Sequence, residues 1–198
     1  MKNQCGATLL EMMGILAIAG ILTASVWKLT DHALHRYRIS RITIQVQSLQ
    51  KGISRFFASK GNYNALDEDG IVKKLFDNNV IPSSMRAEEG VIRHVFGGEV
   101  LLANLRYAHE ASNASTGFSI TFTGLSKKVC AEVATISWPE NDMANMMSIT
   151  IGETKFVWPS YASTSEDVKV LPITVGDAFD VCMSDDEEET RSITWEFR

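Results

Sequence analysis

A chain of 198 residues, 45% hydrophobic and 22% charged, is long enough for one domain with a real core and an appendage, and nothing in it suggests disorder. A formal net charge of -5 and a pI near 5.4 supply no basic field for general nucleic-acid binding. The acidic run from Asp185 to Glu189 reads as a solvated loop.

The first element is an apolar helix. Residues 7–27, ATLLEMMGILAIAGILTASVW, carry one charge, Glu11, in 21 positions. As a helix they would be roughly 31 Å long, about one hydrocarbon thickness. A cleavable signal peptide would present a basic start and then stop, but Lys2 is the sole basic residue in front and the helical pattern continues. From Tyr37 to Phe57, Ile39, Ile42, Val46, Leu49, Ile53 and Phe56 recur three and four apart, which predicts an amphipathic second half. Ile42, Val46, Leu49, Ile53 and Phe56 are the positions expected in the core. One helix to about Ser59 follows, ended by Gly61 and Asn62.

Beyond it, Ile71, Val72, Leu75 and Phe76 give a short helix its apolar face, closed before Pro82. The period then becomes two. EVLLANL, the Phe118–Ile120–Phe122 alternation and the Ile193–Trp195–Phe197 alternation predict strands. MSITIGETKFVW predicts a hairpin with Gly152 first in a two-residue turn. Short helices are expected from Ser126, as N-cap, to Thr135, and from about Thr174 to Cys182. The resulting expectation is an α+β fold, a long N-terminal helix packed on a mostly antiparallel sheet with short flanking helices.

No catalytic or cofactor motif emerges: there is no phosphate-binding glycine loop with lysine, no G-x-S-x-G and no H-E-x-x-H. The chain therefore reads as a non-enzyme with no cofactor and no metal site. His32 and His35 share a helix face and read as solvated, while His94 and His109 have no partner visible in the sequence. The DEDG run at Asp67 starts like a calcium loop but lacks the alternating ligands and closing Glu, so it reads as helix-terminal charge. Of three cysteines, Cys5 precedes the apolar run. Cys130 and Cys182 either pair, given an oxidising compartment, or stay separate buried thiols.

A carboxylate inside a membrane helix costs a few kcal/mol and calls for a partner. An α-amino group of another subunit would serve, provided the chain were cut near Ala7 and the helices stacked with a stagger. CG followed by ATLLEMMGILAIAGIL resembles the N-terminus of a type IV prepilin. In order and spacing, GNYNAL, NNVIPSSM, VFGGEVLL, GFSITFTGLSKKVCAEVA, PITVGDAFDVC and TWEF resemble the type IVb pilins of bundle-forming, toxin-coregulated and conjugative thin pili.

The resemblance implies cleavage by prepilin peptidase between Gly6 and Ala7, N-methylation of Ala7, a register role in assembly for Glu11, and a disulfide between Cys130 and Cys182. It divides the chain into a leader (1–6), a transmembrane and filament-core half-helix (7–27), an amphipathic half (28–59) and a globular head (60–198). It implies a structural subunit whose partners are further copies in a helical homopolymer, the peptidase, the pilus assembly machinery and, before assembly, the inner membrane with the head in the periplasm. A minor pilin, a type II secretion pseudopilin and a monomeric membrane-anchored binding domain are the alternatives. Three departures stand out: a short leader, alanine at mature position one, and a basic run (Lys28, Arg36, Arg38, Arg41) after the span where the positive-inside rule would put it before.

Overall fold

The computed structural model describes residues 9–88, 90–106, 114–136, 138, 145–159, 169–184 and 189–198. Its first element is α1, Leu9–Phe57, a helix of 49 residues. By contacts the chain forms two units, Met1–Arg38 and Ile39–Arg198. The first contributes helix without a core of its own, and no side chain from 10 to 27 is buried.

The second unit holds the core. Along α1, Ile42, Val46, Leu49, Ile53 and Phe57 are buried at four- and three-residue steps, so one stripe faces inward. The last member is Phe57, not Phe56, which packs half-buried at the edge. From Ile53, steps of three and four both land on phenylalanine. Tyr63 favours Phe57: their ring centroids lie 5.6 Å apart, and Tyr63 in turn stands 4.8 Å from Phe118. The helix closes where Lys60 and Gly61 donate backbone hydrogen bonds to the Phe57 carbonyl, two residues before the expected end.

Helix α2, Ile71–Asp77, buries Ile71, Leu75 and Phe76. The sheet comprises β1 (Val100–Leu105), β2 (Gly117–Ser126), β3 (Met146–Ile151), β4 (Thr154–Val157), β5 (Lys169–Val170) and β6 (Thr190–Phe197), in the order β1-β2-β6-β3-β4-β5. Neighbouring strands are antiparallel except β5, which runs parallel to β4 through Phe156–Lys169 and Val157–Val170. The sheet is thus mixed, and its central strand is the one latest in chain order. β6 alternates as its sequence demands: Ile193, Trp195 and Phe197 are fully buried, while Thr194 and Glu196 belong to the other face. There the Thr121 and Thr194 hydroxyls bond at 2.8 Å, and Glu196 accepts from Ser148 and Lys155. The β3–β4 hairpin turns at Gly152, whose φ of 57° is the positive value a glycine-first turn requires.

Two close approaches fix the sheet's entry. A Cβ on Gly98 would lie 1.9 Å from the Thr123 carbonyl oxygen and 2.3 Å from His94 Nε2. Neither atom is a flexible side-chain tip free to leave: the oxygen is backbone and the imidazole is buried. Gly98→Ala is therefore expected to cost about 3 kcal/mol through forced displacement of β2 or of the His94 loop. Urea denaturation of the detergent-solubilised chain measures it, and an unchanged midpoint would refute the packing argument.

Candidate functional site

The surface of the first unit is unusual for a protein in water. Leu10, Leu16, Ile21 and Leu22 are more than 60% exposed, as is Trp27, and the apolar character runs all round the helix. Three hydroxyls along it are turned back on the backbone: Thr23 donates to the Ala19 carbonyl at 2.8 Å, Ser25 to Ile21 at 2.9 Å and Thr30 to Val26 at 2.9 Å. Such i−4 bonds leave little hydrogen-bonding demand for an apolar environment to meet. Glu11 lies in the first turn, with its carboxylate near the positive end of the helix dipole. A Cβ at Gly14 or Gly20 would meet nothing within 4 Å, so the missing side chains serve no contact inside this chain. Gly6 and Ala7 lie outside the described residues.

In the head, a disulfide joins Cys130 to Cys182 across 52 positions, with Cα atoms 5.8 Å apart and both residues buried. Each cysteine is delivered by a capped helix. Ser126 Oγ accepts from the Val129 amide to start α3, Lys127–Ala134, and Thr174 Oγ1 accepts from the Asp177 amide to start α4, Val175–Cys182. Asp177 completes that cap by accepting from the Thr174 hydroxyl at 2.6 Å and from Lys169 of β5 at 2.7 Å. The Lys169 ammonium, then the Thr174 hydroxyl, hold its carboxyl below the usual range. Beside the crosslink Arg191 is buried, donating from Nη2 to both the carbonyl and the hydroxyl of Ser184.

The other polar residues singled out by sequence do structural work. Asp67 Oδ1 accepts from the Asn104 amide at 3.1 Å and its Oδ2 from Asn104 Nδ2 at 2.6 Å, tying the α1–α2 connection to β1. His94 stacks on Phe122 at 5.0 Å. Its Nε2–H donates to the Thr123 carbonyl at 2.8 Å and its Nδ1 accepts from the Phe96 amide at 3.2 Å, which fixes a neutral tautomer. Burial pushes the imidazole below its usual range, against the opposing pull of the Thr123 carbonyl. Gln45, buried on α1, accepts from the Val95 amide and so holds the same loop. The Gln45–Val95 contact spans 50 positions, Asp67–Asn104 37 and His94–Thr123 29, and no local pattern announces them. His32 is exposed on α1 and His35 half-buried, and His109 lies outside the described residues. Among the described residues no group of three or more His, Cys, Asp or Glu side chains is arranged to hold a metal ion.

Comparison with known proteins agrees with this geometry. The prokaryotic N-terminal methylation motif matches residues 1–27, and the family model described as PilS N terminal matches residues 36–195, well over half the chain. The major structural subunit of bundle-forming pilus from Escherichia coli O111:H- is 24% identical over 195 residues, covering 98% of this chain and 94% of that protein. The toxin coregulated pilin of Vibrio cholerae is 26% identical over 133 residues, 67% of this chain and 58% of that protein. In fold, the crystal structure of the type IV pilin of Vibrio cholerae El Tor superposes with a TM-score of 0.53 at 14% identity, covering 82% of this chain and 99% of that one. The chain belongs to the PilS family, begins with the prokaryotic N-terminal methylation motif, and shares the fold of a type IV pilin.

Proposed function

We propose that this protein is a structural subunit, and specifically a major one, of a type IV pilus. The observation that carries the reading is a helix whose residues 10–27 are apolar all round and wholly unburied, attached to a head with a closed core. Before assembly that surface is satisfied by the inner membrane, with the head in the periplasm. After assembly neighbouring helices replace the lipid, so the medium stays apolar. Prepilin peptidase cuts between Gly6 and Ala7 and the new terminus at Ala7 is methylated, in keeping with the methylation motif over residues 1–27. Glu11 then meets the α-amino group of an adjacent subunit and sets the stagger. Gly14 and Gly20, idle within the single chain, let neighbouring backbones approach. The near full-length match to a subunit named as major favours that role over a minor pilin or a secretion pseudopilin.

Intact-mass and N-terminal analysis of sheared surface material tests the proposal. The expected species begins at Ala7, carries one added methyl group and gains mass on reduction and alkylation at two cysteines. Retention of residues 1–6 in extracellular material would overturn it.

A further inference from the structure

Arg36 and Arg38, beyond the apolar span, take part in none of the interactions described above. Between Trp27 and Ile39, α1 carries Lys28, Arg36 and Arg38 against one carboxylate, Asp31, with His32 and His35 in the same stretch. Arg36 and Arg38 are exposed. On the reading above this run emerges on the side of the membrane where the positive-inside rule disfavours it.

We propose that this collar binds the phosphate groups of anionic phospholipids in the leaflet from which the helix emerges, holding the waiting subunit until it is extracted. The inference rests on the membrane-span reading of residues 7–27. At 1.5 Å per residue, Arg36 and Arg38 sit roughly 14 and 17 Å beyond Trp27 along the helix axis. Side chains on an α-helix tilt toward its N-terminus, which here means back toward the bilayer. A long arginine therefore returns several ångströms of that height. The headgroup zone extends about 5–8 Å past the hydrocarbon, and charges act over a Debye length of about 8 Å, so together these close the gap. Trp27, 73% exposed, stands where an aromatic belt marks the hydrocarbon boundary. The guanidinium fork matches phosphate oxygens two at a time. Continuity decides the partner: the surface that receives the span necessarily brings its own headgroups to the collar, whereas a soluble polyanion would have to compete with them.

The test uses the full chain reconstituted in phosphatidylcholine vesicles containing phosphatidylglycerol, with bromine quenchers on the acyl chains of one lipid or the other. Trp27 fluorescence is read after subtraction of the Trp27→Phe signal, which reports the remaining three of four tryptophans. Each charge near the surface is worth about a fivefold local preference at low salt. Brominated phosphatidylglycerol is thus expected to quench several-fold more per mole than brominated phosphatidylcholine. That preference should fall toward parity in the Arg36→Gln/Arg38→Gln double variant and in about 1 M salt. Equal quenching by the two lipids in the native chain, or an undiminished preference in the double variant, would overturn the collar. Quenching by neither lipid would instead show that Trp27 is not at a membrane boundary, and the span reading would fall with it.

Discussion

Replacing Glu11 by alanine is expected to abolish filaments while leaving the head folded. The residue lies in the first turn of α1, thirty-one positions before the first fully buried core residue, Ile42, so its loss removes nothing from the core. In the assembly proposed here, its carboxylate and a neighbour's ammonium are both surrounded by apolar helix. Deleting one partner strands the other in a low-dielectric medium, a penalty of about 3–5 kcal/mol per contact. That is a reduction of at least roughly a hundredfold in the elongation equilibrium for every subunit added. Surface filaments counted by electron microscopy and pilin recovered by shearing should both fall below detection. Membrane-fraction pilin should retain native protease resistance and its oxidised cysteine pair. Normal filament yield from the Glu11→Ala strain would remove the register mechanism.

The second large effect is expected in the head. Replacing Cys130 and Cys182 together by serine frees a segment spanning 52 positions, and the chain-entropy estimate for a loop of that size is about 4 kcal/mol. The true loss should not be smaller, because two serine hydroxyls would enter a site where both cysteines are fully buried. For a chain of this size the thermal midpoint should drop by about 10 °C, and the native protein in reductant should also drop, by no more than the variant does. Coincident melting curves for oxidised and reduced protein would mean that the caps and the core already hold α3 and α4 in place.

How much of this was legible beforehand follows from the range over which each force acts. Periodic burial is local, and so the buried stripe on α1, the alternation of β6, the Gly152 turn and the Ser126 cap could be read directly. The Phe56/Phe57 ambiguity was decided by Tyr63, a residue outside the helix. β5 escaped because two residues, Lys169 and Val170, form no period, and their pairing depends on β4 being there to receive them. Asp67, Gln45, His94 and Arg191 were opaque for the same reason: each satisfies, or is satisfied by, a group brought near by the tertiary fold. The assembly residues present the opposite case. Glu11 was conspicuous in sequence as the one carboxylate in an apolar run, and the structure finds no intrachain contact that a Cβ on Gly14 or Gly20 would disturb.

The placement of β6 has a bearing on biogenesis. Strands β1 and β2 on one side and β3, β4 and β5 on the other meet through it. A ribosome that stalls before Thr190 releases two half-sheets with a gap where Trp195 should be, each offering an unpaired strand to the surroundings. Completion of translation thereby becomes the condition for a sheet without an internal gap.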